Sequence, residues 1–352
     1  MTVDSSQALG DRLLGALTGA VELCTVELGR RLGLYAALRD GPLTPAELAK
    51  AAGIDERYAR EWLEQQAAAG FLTLSGPAAV AAFGLAPGVA DVLLDEGGML
   101  YAGAAAEFAV GVAMLTPRVI EAFRTGEGVP YSEYAHVRHG IAGFNRPMFD
   151  HLLTTTWLPA VPSIEARLRS AAGARVLDLG CGTGYSSVAM ALAYPAITVR
   201  GVDLDEDSVA AARQVAASAG VADRVSFVTG DAAGPLDGAF DLVTIFEALH
   251  DMGDPVGVLR QARAVLGPSG SVFVADERVA DTFTAPAGEV ERLQYAFSVL
   301  HCLPATRAEN PVIANGTILR APTLLGWARE AGFEAPEVLP LDNDFWRFYH
   351  LH

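Results

Sequence analysis

Residues 176–187 read Val-Leu-Asp-Leu-Gly-Cys-Gly-Thr-Gly-Tyr-Ser-Ser, an apolar run that stops in a loop with glycines at 180, 182 and 184. A helix-like segment, 186–193, follows. Strand, tight turn and helix start in that order define an α/β unit. The glycines let a ligand lie against bare backbone, where a Cβ would collide. The next apolar run, 197–202, ends in Asp203, nineteen residues beyond Gly184. That is the distance at which a ribose-gripping carboxylate is expected in a nucleotide-binding α/β unit.

The glycine spacing separates two cofactor classes. A dinucleotide fingerprint, G-x-G-x-x-G, requires glycine at 185 or 187, and those positions hold Tyr185 and Ser187. The pattern present is an acid, Asp178, followed by Gly180, Gly182 and Gly184 at alternate positions, with Cys181 between the first two. It resembles motif I of the class I S-adenosylmethionine-dependent methyltransferases; a flavin or nicotinamide site, or a structural glycine turn, is the alternative. The resemblance continues in order. A strand at 224–228 is followed by Gly-Asp-Ala at 230–232, and one at 240–246 leads into Glu-Ala-Leu-His-Asp-Met-Gly-Asp-Pro at 247–255. A fifth strand, 271–275, ends in Asp276 and Glu277, and 333–339 and 345–351 look like an antiparallel closing pair. The resemblance implies a Rossmann-like seven-stranded sheet, doubly wound, with an antiparallel C-terminal strand. It also implies a cofactor site made by Asp178, Gly180, Cys181, Gly182, Gly184, Asp203, Leu204, Asp231, Ala232 and Phe246. S-adenosylmethionine has no pyrophosphate that needs a helix N-terminus, and its sulfonium tolerates nearby carboxylates.

A chain of 352 residues suits more than one domain. We expect a winged-helix dimerisation domain at 1–90, a helical linking region at 91–170 bordering the acceptor pocket, and a catalytic domain at 171–352. The net charge of −17 argues against nucleic acid as the main partner, because phosphate binding is carried by clustered Lys and Arg. Three cysteines, Cys24, Cys181 and Cys302, make no paired framework, so a reducing cytoplasm is the expected location. No charged-then-apolar leader opens the sequence. The long apolar segment 97–115 contains Glu107 and reads as a buried bundle helix rather than a membrane span.

In the N-terminal part, apolar residues recur at helical spacing over 10–40, and Gly41-Pro42 is expected to break that helix. Thr44, Pro45 and Glu47 then form an N-cap, a first-turn proline and a capping-box acid. A second helix is expected from 56 to 69, and 71–74 with 79–85 as a hairpin wing. This winged-helix pattern serves DNA binding in many proteins. Here the second helix carries Arg57 and Arg60 against Asp55, Glu56, Glu61 and Glu64, where a groove-binding helix should be basic. Small-molecule O-methyltransferases have the same segment and dimerise through it, so the resemblance implies a homodimer.

Phe-Asn-Arg-Pro-Met at 144–148 is similar to a segment that borders cofactor and substrate in those enzymes, which implies substrate contacts for Phe144, Arg146 and Met148. The alternative is that Phe144 and Met148 are core residues at i,i+4. Methyl transfer needs an acceptor aligned with the methyl–sulfur bond, and a hydroxyl acceptor is helped by a general base. Leu-His-Asp at 249–251 resembles the Leu-His-Asp-Trp segment whose histidine is the base, with Met252 in place of tryptophan.

A second histidine, His301, follows a helix expected at 288–299. Paired with His250 it suggests Fe²⁺ or Zn²⁺, since imidazoles with open positions suit those ions. The two segments together resemble actinobacterial C-methyltransferases acting on 2-oxoacids. That implies His250 and His301 as metal ligands, with Asp251, Asp276 or Glu277 orienting a histidine. Three readings follow: metal-assisted C-methylation of a small 2-oxoacid, metal-free O-methylation with His250 as base, and a cofactor-binding winged-helix transcriptional regulator.

Overall fold

The computed structural model describes residues 2–77 and 81–352, and the chain divides into two compact units. One contains 1–114 and 135–147, the other 115–134 and 148–352. The segment expected to link two domains is therefore shared between both units.

The first unit opens with α1 (Thr2–Arg31) and α2 (Leu34–Ala37). The first helix ends ten residues earlier than the expected Gly41-Pro42 break, because Gly33 takes the left-handed conformation (φ 69°) and restarts the chain. Leu13, Leu14, Leu17, Val21 and Leu28 are all exposed, so this apolar stripe of α1 is not covered by the described residues. Next come α3 (Pro45–Ala52) and α4 (Glu56–Ala68). Thr44 and Glu47 make the expected capping box, and Asp55 caps α4 by accepting from the amides of Arg57 and Tyr58. The wing is β1 (Leu72–Ser75) paired antiparallel with β2 (Ala82–Leu85). Residues 79 and 80 of the expected second wing strand lie outside the described residues. Leu34, Tyr35, Leu38, Leu48, Leu63 and Phe83 form the core of this unit.

A short α5 (Val89–Leu93) precedes α6 (Ala104–Thr125). The apolar stretch at 97–115 is thus not one helix. Gly98 donates to the Asp95 carbonyl in a turn, and the helix starts only at Ala104. No helix of the described residues is long and apolar enough to cross a membrane. Helix α7 (Ala135–Met148) carries Phe144, Asn145 and Arg146 and runs into a π-helical segment, Phe149–Trp157.

The second unit follows α8 (Pro162–Leu168) with alternating strands and helices: β3 (Arg175–Leu179), α9 (Tyr185–Ala193), β4 (Thr198–Asp203), α10 (Glu206–Ser218), β5 (Val225–Thr229), β6 (Phe240–Phe246), α11 (Pro255–Ala264) and β7 (Leu266–Glu277). Then come α12 (Glu289–Phe297), a π-helical turn at Ser298–Cys302, α13 (Leu303–Ala308), α14 (Ala321–Glu330), β8 (Glu337–Val338) and β9 (Trp346–Leu351). The sheet order is β5-β4-β3-β6-β7-β9-β8, parallel from β5 to β7, with β9 antiparallel to β7 and β8 antiparallel to β9. The parallel strands read as near-continuous apolar runs because helices cover both faces. One face packs on a cluster with Trp157, Phe246, Phe273, Trp346 and Phe348, the other on one with Leu177, Val243, Ile245, Val274 and Tyr349. Strand order reverses between β3 and β6, and in such sheets ligands bind beyond the strand carboxyl ends at that switch point.

Candidate active site

Two loops leave the switch point, one after β3 and one after β6. In the first, Gly180, Gly182 and Gly184 have φ of 68°, 50° and 79°, a region costly for other residues. The three glycines serve different ends. A Cβ on Gly180 would sit 2.5 Å from the Ala248 Cβ, and one on Gly184 would sit 2.6 Å from the Phe227 ring. Those two glycines let neighbouring segments of protein close in. A Cβ on Gly182 would meet nothing within 4 Å, so this is the position with bare backbone facing open space.

Asp178 occupies the base of the loop. Its carboxylate accepts from Ser186 (2.6 Å), Ser187 (2.7 Å) and Thr244 (2.7 Å), and the residue is 1% exposed. Burial raises its pKa, against the three hydroxyl donors. Asp178 therefore ties β3 to β6 and to the start of α9, buried beneath the loop. Cys181 is buried beside it, and burial pushes its thiol well above the ordinary range.

Asp203 closes the loop from β4. Its Oδ2 accepts from the Gly182 amide at 2.8 Å and its Oδ1 from the Asp205 amide at 2.9 Å. Each oxygen keeps a further lone pair. Leu204 beside it is exposed. Asp231, after β5, accepts from the Ala233 amide at 2.8 Å with its side chain at the surface, next to buried Ala232. Phe246, buried at the end of β6, packs on the tilted ring of Phe149 (5.5 Å between ring centroids). Glu309, just past α13, has its pKa lifted to about 7, chiefly by desolvation and then by the carboxylates of Asp251, Asp231 and Asp203. An acidic basin beside bare backbone suits a cationic sulfonium and disfavours a pyrophosphate, so the residues present fit S-adenosylmethionine.

The second loop turns at Glu247, which holds φ 48° while its amide donates to the Ala275 carbonyl. One turn on, His250 is buried, and its Nδ1 lies 2.8 Å from Oδ1 of Asp276 at the end of β7. The pairing of β6 with β7 places these residues together. Its Nε2 lies 3.4 Å from Asp251 Oδ1. Burial alone would lower the His250 pKa; Asp251 and Asp276 outweigh it and hold the ring well above the usual histidine range. Of the three acids expected to orient a histidine, Asp276 does so. Glu277 instead accepts from Gln294 Nε2 on α12 (2.5 Å). Burial, then Glu247, pushes the Glu277 pKa well up, which favours the neutral acid.

His301 sits in the π-helical turn, buried against Tyr134 with ring centroids 4.7 Å apart. Burial lowers its pKa to about 4, so it is a neutral imidazole near neutral pH. His250, Asp251 and Cys302 place one donor atom each within 4.8 Å of one another, and among the described residues His301 belongs to no such group. It adjoins the group instead, with Nδ1 3.4 Å from Cys302 Sγ. Burial raises the Cys302 thiol to about 12. Asp251 Oδ1 and His301 Nε2 are buried with no hydrogen-bond partner among the described residues.

Cys302, Gln294, Glu247 and Glu309 were not singled out from the sequence. Cys302 was detectable as the neighbour of His301, and Gln294 as the residue two helical turns before it; Glu247 and Glu309 carry no sequence signal. Of the expected acceptor residues, Met148 is partly buried against the core of the second unit. Phe144 and Arg146 belong to the first unit, where an Arg146 nitrogen lies 3.8 Å from Glu96.

Residues 170–311 match a family model described as a methyltransferase domain, and 19–93 match an Rv2258c-like winged helix-turn-helix domain. The chain is 32% identical over 187 residues to a ubiquinone biosynthesis O-methyltransferase of Pseudomonas aeruginosa, spanning 51% of this chain and 73% of that protein. It is 38% identical over 125 residues to 27-O-demethylrifamycin SV methyltransferase of Amycolatopsis mediterranei, spanning 35% of this chain and 46% of that one. Among solved structures, the mitomycin 7-O-methyltransferase superposes with a TM-score of 0.72 at 20% identity, covering 99% of both chains. Human N-acetylserotonin methyltransferase in complex with SAM gives 0.71 at 15% identity over 97% of both. The open Gly182 backbone, the acidic basin and these likenesses converge, and the chain belongs to the S-adenosylmethionine-dependent methyltransferases, with an N-terminal winged-helix domain.

Proposed function

We propose that this enzyme methylates carbon on a small 2-oxoacid of secondary metabolism, with a divalent ion held by His250 and Asp251 and completed by His301 or Cys302. The carrying observation is the group of His250, Asp251 and Cys302, whose donor atoms lie within 4.8 Å of one another, with Asp251 Oδ1 and the adjoining His301 Nε2 buried and without hydrogen-bond partners among the described residues. A polar atom buried without a partner costs about 1–3 kcal/mol, and a cation ligated there removes that cost. Imidazole, carboxylate and thiol donors together suit Fe²⁺ or Zn²⁺. When bound, such an ion supplies positive charge to an oxyanion developing on the 2-oxoacid.

The protein's own part is alignment. Asp276 fixes the His250 ring through Nδ1 and leaves Nε2 facing Asp251. Gly182 and Asp203 seat the methyl donor, and buried Phe246 forms part of the apolar packing at the end of β6. Phe144, Arg146 and Met148 are assigned to the acceptor on resemblance alone. The exposed leucine stripe of α1 supports a homodimer, since contiguous apolar surface marks interaction sites. Sedimentation at micromolar concentration should give twice the chain mass.

Metal analysis of protein purified without chelator, then assays on 2-oxoacids with added Fe²⁺ or Zn²⁺, tests the proposal. Bound metal and metal-dependent turnover are expected; neither metal nor turnover on any 2-oxoacid removes it. The second reading is a metal-free O-methyltransferase. It is favoured by the His250–Asp276 pair, which would orient a general base once Nε2 has lost the proton that Asp251 and Asp276 favour. Under that reading His250→Ala abolishes turnover and His301→Ala costs little, whereas metal ligation by both predicts comparable losses.

A further inference from the structure

The edge of the sheet away from the switch point carries a second set of metal-ligating side chains. Glu337 on β8 stands directly opposite His350 on β9 in the antiparallel register. His352 lies one residue past the end of β9, and its ring stacks on that of His350. The register and this stacking bring two imidazoles and a carboxylate together. Each offers a donor atom, and the three atoms lie within 4.8 Å of one another.

The spacing is informative. Glu337 Oε1 is 3.3 Å from His350 Nδ1. An N–H···O bond has its mode near about 2.9–3.0 Å. Two ligands of a tetrahedral ion at about 2.0–2.1 Å each are separated by about 3.3 Å. The His350 and His352 rings stack with centroids 4.8 Å apart, so the second imidazole is already alongside the first. His350 Nε2 is buried and has no partner among the described residues, so all polar contact of this ring is made at its Glu337 edge. Nδ1 of His350 donates to Glu337 when it carries the proton, and once that proton is lost the two atoms face each other as donors for a cation. His350 is buried, while Glu337 and His352 are exposed, which gives a fixed inner ligand and an open path for entry.

The geometry points to a transition-ion site at Glu337, His350 and His352, of the class that binds Zn²⁺ through two imidazoles and one carboxylate, with water completing the shell. It is separate from the His250 group in donors and in place. Its effect is to clamp β8, a strand of two residues at the exposed edge, onto β9. Strand edges with unpaired backbone groups are sites of fraying and unwanted pairing, and a clamp there suppresses both.

Zinc binding to metal-stripped full-length protein tests this, with wild type, Glu337→Gln, His352→Gln and the double variant compared by calorimetry. The substituted residues are exposed, so the variants should fold. We expect the double variant to bind one zinc fewer per chain, and each single variant to hold that ion at least tenfold more weakly. A local readout separates this site from His250: added Zn²⁺ should slow amide exchange across 335–352 in wild type and leave it unchanged in the double variant. Wild-type stoichiometry, affinity within twofold and zinc-slowed exchange in the double variant would overturn the proposal, as would no zinc effect on exchange in wild type.

Discussion

Asp276 and His250 are 26 residues apart in the chain and 2.8 Å apart in space, joined through Oδ1 and Nδ1, with both side chains buried. The Asp276 carboxylate also lies near the His250 amide, at 3.3 Å, so one acid holds both the ring and the backbone of the loop. This contact leaves Nε2 as the His250 nitrogen that faces Asp251.

Asp276→Asn should therefore lower turnover by about 10–100-fold, the usual effect of removing the partner that orients a functional histidine. The substitution is isosteric but removes the charge from one partner of a buried pair, so the melting temperature should also fall. Steady-state kinetics beside a thermal melt check this; unchanged turnover in a folded variant would show that the pair is only structural.

The glycine loop gives a paired test. Gly184→Ala forces a Cβ to within 2.6 Å of the Phe227 ring and 2.9 Å of the Ala212 Cβ. Crowding of this kind costs about 1–3 kcal/mol, and the left-handed backbone adds about 1–2. At about 2–4 °C per kcal/mol for a unit of this size, the melt should fall by many degrees. Gly182→Ala meets open space, so only the backbone cost applies. Its stability should drop less, while affinity for S-adenosylmethionine falls at least tenfold by calorimetry. The opposite ranking of the two variants would place the cofactor elsewhere.

Thr244→Val removes one of three hydroxyl donors from buried Asp178 and is close to isosteric. Leaving a buried carboxylate short of a donor should cost about 1–3 kcal/mol of stability. Denaturant unfolding of the two proteins measures it, and a loss below about 0.5 kcal/mol would mean that the carboxylate is not charged in the folded state.

Glu309 supplies a pH dependence. Its pKa rises from 4.5 to about 7 on folding, first through desolvation and then through Asp251, Asp231 and Asp203. The folded state binds more protons between these values, so stability falls as pH rises from 4.5 toward 7. Glu309→Gln should flatten that part of the stability profile, read from unfolding midpoints in buffers spanning the window. Parallel profiles would show that the acid does not titrate there.

Much of the cofactor side was legible in sequence, because it is local. A strand, three glycines and an acid at the end of the next strand lie within 30 residues, and each part has a backbone reason. The capping box at Thr44 and Glu47 is local in the same way. The sequence did not show which glycine faces open space, since Ala248 and Phe227 approach Gly180 and Gly184 from distant segments. Nor did it show which of Asp251, Asp276 and Glu277 reaches His250, a choice made by the pairing of β6 with β7. The end of α1 is hidden in the sequence because Gly33, whose left-handed backbone stops the helix, sits inside an unbroken apolar pattern.

The π-helical turn at Ser298–Cys302 carries one residue more than the surrounding α-helix needs. Removing a single residue there would restore a plain α-helix and abolish the bulge on which His301 and Cys302 sit, while the flanking turns kept their register. His301 or Cys302 would then leave the interior, even though every other side chain of the site was still encoded. In such a chain the register of one helical turn, rather than the identity of its residues, separates an assembled centre from a scattered one.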